Sequence, residues 1–221
     1  METSSAVRPV KPHKPAAVLI ACIFALAVIG ACAALSQQAL AQPRDGAPPL
    51  LARTAWGAKP AGSGMKPHKP NSIIVHHTGV RQDTRRDLAT KLRGLQGFSQ
   101  RPRKMAGGQT LPPWPDLPYH FYIGSDGTIG EGRDVNYAGD TNTRYDTTGH
   151  VQVVLEGNFE VEQPTTAQLA ALKQVLAWQA RVWRVPLSRV SVHKDNAQTA
   201  CPGKNLAAVL PRVLAELQQR R

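Results

Sequence analysis

Short apolar runs and helical repeats alternate along most of this chain. Ser72-Ile73-Ile74-Val75 is a brief apolar run that leads directly into His76. Its length and β-branched content predict a buried strand. Residues 119–123 predict a second strand, Ser125-Asp126-Gly127 a turn, and Thr128-Ile129 the return strand of a hairpin. Residues 150–156 alternate, with Val151, Val153 and Leu155 on one face. Val190, Ser191 and Val192 form a last short strand that delivers His193 at its end.

Between these runs the period changes to that of a helix. Leu88, Leu92 and Leu95 recur at helical spacing, and Asp83 is the cap predicted for a helix running through about Phe98. Thr165-Thr166-Ala167-Gln168 reads as a capping box. It opens a helix that carries Leu169, Leu172, Leu176 and Trp183. Leu206, Val209, Leu210, Val213, Leu214 and Leu217 mark a third helical stretch, interrupted by Pro211. That proline either kinks the helix or sits in the first turn of a second one. Residues 99–118 carry five prolines, so no regular element is expected there. Strands interleaved with helices predict an α/β fold: one domain, a central mixed β-sheet and about three flanking helices.

The N-terminal segment has a different pattern. Arg8, Lys11 and Lys14 form a positive flank, residues 16–35 are continuously apolar, and Ala39-Leu40-Ala41 fits a small-x-small cleavage site. Residues 1–41 therefore read as a secretory signal. The apolar stretch is long for a cleaved signal, which leaves membrane attachment through residues 16–35 open. Ile29-Gly30-Ala31-Cys32 also loosely resembles a lipoprotein processing site. Residues 42–50 are polar and Pro-rich, a linker, and residues 51–221 form the domain. The expected location is outside the cytoplasm: periplasmic, in the cell envelope, or anchored to the membrane.

Charge narrows the partners. With 27 Lys and Arg against 15 Asp and Glu, the formal charge is +12, which attracts anionic partners over long range. In an exported chain the cell envelope fits better than nucleic acid. Aromatics make up only 5% of the chain, and no nucleic-acid-binding motif stands out.

The cysteine count sharpens the chemistry. Two of the three cysteines, Cys22 and Cys32, lie in the apolar N-terminal stretch, so Cys201 would be the only one left after processing. A lone thiol in an exported protein has no internal disulfide partner. Metal ligation would protect it. His76 and His193 at strand ends, with Cys201 in the loop after His193, make three ligands. Structural zinc sites normally close with four protein ligands, whereas catalytic ones leave a position for water. Imidazole and thiolate both suit zinc. His77 should face away from His76, because strand neighbours alternate. A structural zinc site would need Asp195 or His77 as a fourth ligand. His120 and His150 read as structural, and no HExxH motif is present.

An ordered set of motifs carries a family resemblance. It comprises Arg53-Thr54-Ala55-Trp56-Gly57-Ala58, Val75-His76-His77-Thr78, Tyr119-His120-Phe121, Asp126-Gly127-Thr128, Glu131-Gly132-Arg133, Leu155-Glu156-Gly157-Asn158-Phe159 and Cys201-Pro202-Gly203. Over roughly residues 51–215 the chain resembles the superfamily of peptidoglycan-recognition proteins and type-2 N-acetylmuramoyl-L-alanine amidases. The resemblance implies Zn2+ held by His76, His193 and Cys201, with Tyr119 and Thr199 as catalytic residues. The implied reaction is hydrolysis of the amide between N-acetylmuramic acid and L-alanine, on peptidoglycan or muropeptides, by a monomer. A related branch uses aspartate as the third ligand and a catalytic glutamate; here Val154 stands at the glutamate's position. The alternative is a non-catalytic peptidoglycan-binding module, but such members typically lack the cysteine. Ala138-Gly139-Asp140-Thr141 departs from a histidine-containing stretch common in the family. The first helix departs from the family pattern, and the 99–118 segment looks longer than usual.

Overall fold

The computed structural model describes residues 40–41, 46–104 and 108–219. The N-terminal stretch read as a signal or anchor lies outside the described residues, apart from Leu40 and Ala41. Among the described residues no helix is long and apolar enough to cross a membrane.

In chain order the elements are β1 (Leu40–Ala41), β2 (Leu50–Leu51), α1 (Arg53–Trp56), β3 (Ser72–His77), α2 (Leu88–Ser99), β4 (Arg103–Lys104) and β5 (Thr110–Leu111). There follow β6 (Phe121–Ile123), β7 (Ile129–Glu131), β8 (His150–Leu155), α3 (Thr166–Val182), β9 (Val190–Val192) and α4 (Lys204–Gln218). Seven strands form one sheet in the order β1-β2-β7-β6-β8-β3-β9. β6, β8, β3 and β9 run parallel, whereas β7 is antiparallel to β6. The sheet is therefore mixed, and the chain is α/β as expected. Among the described residues three long helices and the single turn α1 flank it.

Both faces of the sheet are covered, which explains why β8 is apolar almost throughout. Ile73, Val75, Val151, Val153 and Leu155 pack on one side with Leu172, Leu176, Leu206 and Leu210 from α3 and α4. On the opposite side Val154 and Tyr122 pack with Trp56, Leu88, Leu92 and Leu117. His76 aligns with Val154 in the β3–β8 register, so β8 sets its height.

Three local expectations need correction. Asp83 does not cap α2. Asp87 does, accepting from the Thr90 N–H at 2.7 Å, because it immediately precedes the first apolar position. Asp83 instead accepts from the Arg85 N–H and Arg86 Nε. Residues 99–118 are not wholly irregular: β4 and β5 pair antiparallel. Arg103 lies 3.5 Å over the Trp114 ring, and the Trp114 N–H donates to the Ser99 carbonyl. Those contacts draw the two arms together. Pro211 sits inside one continuous helix. It is solvent-exposed, on the side away from the buried stripe of Leu206, Leu210, Val213 and Leu217. The predicted capping box of α3 forms, Thr165 with Gln168.

Candidate metal centre

His76, the penultimate residue of β3, is buried on the same face as α2. His193 opens a single 3-10 turn directly after β9. That turn is held by the Asp195 carboxylate, which accepts from the Val192 N–H at 3.0 Å. Cys201 returns to it, its carbonyl accepting from the Lys194 N–H at 2.9 Å. Gly203 ends the return with φ +88°. A Cβ there would collide with the Phe159 backbone, so only glycine fits.

These segments bring the three predicted ligands together. One donor atom from each of His76, His193 and Cys201 lies within 4.8 Å of the others. The two imidazole centroids are 4.7 Å apart. Cys201 Sγ lies 3.6 Å from His76 Nδ1. A sulfur and a nitrogen on one tetrahedral zinc are separated by about 3.5 Å, from the usual bond lengths. The donor set thus fits zinc in both chemistry and spacing.

Electrostatics agree. Burial, helped by the neighbouring His193, lowers the His76 pKa to about 3. Burial also lowers that of His193, with His77 adding to the effect. Both imidazoles are therefore neutral at pH 7, the form that binds metal. Burial pushes the Cys201 thiol up to about 12, partly offset by the His77 N–H that donates to Sγ at 3.4 Å. Without a metal this cysteine is a protonated, unreactive group.

The other residues fall where their chemistry places them. The His77 ring points to the opposite face, where Nδ1 accepts from the Phe159 N–H. His120 is structural: Nε2 bonds the Tyr137 carbonyl and Nδ1 accepts from the Gln152 N–H. The Asp195 carboxylate serves its own turn. Among the described residues the metal-ligating cluster contains no fourth member. The Tyr119 ring centroid lies 5.2 Å from that of His76, and burial raises the phenol pKa, keeping it protonated. Thr199 is beside Cys201, its hydroxyl accepting from the Cys201 N–H at 3.2 Å.

Sequence reasoning missed several supporting groups. Gln152, Thr143 and Tyr145 all contact or adjoin the two histidines. A glutamine at a buried position of an otherwise apolar strand was the available signal. Glu156 is also buried; it accepts from the Asp83 and Ser125 N–H groups and pairs with Lys91. Arg133 is buried too. It donates to the carbonyls of Leu117, Asp116 and Ala138 and pairs with Asp140.

Similar proteins set this geometry in context. The chain is 31% identical over 168 residues to peptidoglycan-recognition protein LB of Drosophila melanogaster, spanning 72% of this chain and 66% of that protein. It is 30% identical over 173 residues to an N-acetylmuramoyl-L-alanine amidase of Sus scrofa, spanning 75% of this chain but only 27% of the pig protein. Among solved structures, Drosophila PGRP-LB superposes with a TM-score of 0.60 at 28% identity, covering 73% of this chain and 91% of that one. A point mutant of PGRP-LB has also been solved in complex with tracheal cytotoxin. The amidase LysC of Clostridium intestinale superposes with a TM-score of 0.57 at 26% identity, covering 77% and 98%. A family profile described as N-acetylmuramoyl-L-alanine amidase matches residues 66–204, which include all three candidate ligands, and the chain belongs to that family.

Proposed function

We propose that this protein is a zinc-dependent amidase that cleaves the bond between N-acetylmuramic acid and L-alanine in peptidoglycan or its muropeptide fragments. The observation that carries the reading is the cluster of two neutral imidazoles and one buried cysteine, with no fourth protein ligand among the described residues. A closed structural site would have four. Family membership supports the bond type, and the presence of Cys201 favours an enzyme over a binding module.

His76, His193 and Cys201 would hold the metal. Bound zinc lowers the pKa of a coordinated water towards about 7 and polarises a carbonyl. Tyr119, kept protonated by burial, keeps its O–H as a donor, and its role is a hydrogen bond to the carbonyl oxygen as negative charge builds there. Thr199 accepts from the Cys201 N–H, which fixes its hydroxyl in the loop. Its O–H proton is the second donor to that oxygen. Neither side chain is basic enough to take a proton from water at neutral pH. The same reading makes residues 1–41 an export signal or membrane anchor, residues 42–50 a linker and residues 51–221 the catalytic domain, acting as a monomer outside the cytoplasm.

The test is incubation of the purified protein with peptidoglycan, with and without chelator, and mass spectrometry of the new ends. Free L-alanine amino termini that vanish with chelator and return with zinc are expected. Intact linkages from a folded, zinc-loaded sample on several peptidoglycan types would refute the amidase and leave a binding module.

A further inference from the structure

We propose that Gln152 and Thr143 are positioning residues that fix the tautomers of the two histidines, so that each presents its δ nitrogen to the metal. The proposal rests on the metal-centre reading above. His76 has its Nε2 against the Gln152 amide oxygen and its Nδ1 facing Cys201 Sγ. His193 has its Nε2 2.7 Å from the Thr143 hydroxyl, which leaves Nδ1 as its remaining donor atom.

The chemistry requires a definite arrangement. A neutral imidazole carries one N–H, and the nitrogen that binds metal must lack it. If Nδ1 is the ligand, Nε2 bears the proton and needs an acceptor. Gln152 supplies its amide oxygen; the Tyr145 hydroxyl lies 3.2 Å from the amide nitrogen and 3.3 Å from the amide oxygen. A reversed amide would point N–H at Nε2 and force the proton onto Nδ1, where it would block the metal. Tyr145, in contact with both ends of the amide, holds it beside His76. The Tyr145 ring lies 5.2 Å from His193 and stacks on His150, which holds the phenol in place.

Thr143 acts similarly for His193. Its hydroxyl lies 2.7 Å from that of Thr141, whose oxygen also accepts from the Thr143 N–H at 3.1 Å. The Thr143 oxygen can thus accept from His193 while its own proton goes to Thr141. All four supporting residues come from residues 141–152, the connection into β8 and its first half. One stretch thereby orients one ligand on β3 and another in the turn after β9. Gln152 reaches His76 because the β3–β8 register places it two positions from the residue opposite His76, on the same face.

The experiment measures zinc affinity by competition with a chromophoric chelator, with thermal unfolding of the metal-free forms as the folding control. Gln152→Leu removes the acceptor. Thr143→Val removes a hydroxyl from a half-buried loop position. Losses of 10–100-fold in affinity are expected, the range for groups that support metal-binding histidines. Gln152→Glu, which keeps an acceptor, should bind within a few-fold of the unaltered protein. Binding by Gln152→Leu and Thr143→Val within twofold of the unaltered protein overturns the proposal, and equal losses in the Leu and Glu variants overturn it for Gln152. Should Gln152→Leu not fold, Thr143→Val and Gln152→Glu decide. Failure of the unaltered protein to bind zinc would instead refute the metal centre itself, and affinity is read independently of turnover.

Discussion

Replacing Glu156 with Gln should be among the most damaging conservative changes in this protein, although Glu156 touches no candidate ligand. The carboxylate is 2% exposed and is shared by three donors. One oxygen accepts from the Asp83 N–H at 2.9 Å. The other accepts from the Ser125 N–H at 3.0 Å and Lys91 Nζ at 2.8 Å. Those donors belong to the loop after β3, the β6–β7 turn and α2. The carboxylate therefore ties three segments to the end of β8. A carboxamide has one acceptor oxygen, so its NH2 must face either the Asp83 N–H or the Ser125–Lys91 pair. The Lys91 side chain is only 9% exposed, and its charge would be stranded.

Breaking a buried ion pair from one side costs about 3–5 kcal/mol. At about 2–4 °C per kcal/mol for a domain of this size, Tm should fall by roughly 6–20 °C. Much of that cost is the orphaned ammonium, so adding Lys91→Met should recover part of it. A thermal or urea unfolding cycle over the two single variants and the double variant reads the coupling, expected at about 1.5–3 kcal/mol. A cost below about 1 kcal/mol for Glu156→Gln, or strictly additive singles, would refute the account of Glu156 as a charged clamp.

Cys201→Ser keeps an acceptor for the His77 N–H but replaces the thiolate; zinc affinity should drop at least about 100-fold while the metal-free Tm moves only a few degrees. For the unaltered protein, zinc at 100 times its Kd should add about 2.7 kcal/mol, a rise of about 5–11 °C that chelator abolishes and Cys201→Ser lacks; calorimetry checks both. Gly203→Ala meets the Phe159 backbone at a position with φ +88°, so a cost of at least about 1–3 kcal/mol is expected from urea unfolding, with weaker zinc binding because the Cys201 return is displaced. Burial lowers the His120 pKa from 6.5 to about 3, so between those values the unfolded chain binds the extra proton and stability falls as pH falls. From pH 8 to pH 5 that one group should remove about 2 kcal/mol from the metal-free protein. His120→Asn, which keeps an acceptor near Nδ1, should flatten the urea-derived profile by that amount; superimposable profiles would refute it.

Much of the candidate site was legible because its geometry is local to strand ends. A brief apolar run ending in His76 and another ending in His193 are short and β-branched enough to read as buried strands, and a ligand at a strand end has its height set by pairing. The return to Cys201 is short in sequence, so its proximity to His193 was readable without knowing the sheet order. The strand alternation also assigned His76 and His77 to opposite faces, as found. Helix boundaries were less legible where two candidate caps competed. Asp83 and Asp87 are chemically identical, and only the position of Leu88 in the core selects the second.

What the sequence could not reveal depends on contacts between distant segments. Nothing in the local pattern around Gln152 says that β8 lies beside β3 rather than at an edge, and its role follows entirely from that adjacency. Glu156 is similar: it follows β8 as one charged residue after five apolar or amide ones, and its partners come from positions 31, 65 and 73 residues away. Both residues could have been flagged by one rule. A polar side chain inside a run whose neighbours are buried on both faces must have its hydrogen bonds satisfied by something. Here the two such residues of the β8 run serve opposite ends of one task. Gln152 fixes which atom His76 presents, and Glu156 holds the loops around the end of the strand beside it. The two variants should therefore separate: Gln152→Leu should lose zinc affinity with little change in metal-free Tm, and Glu156→Gln should lose Tm while its folded fraction still binds zinc.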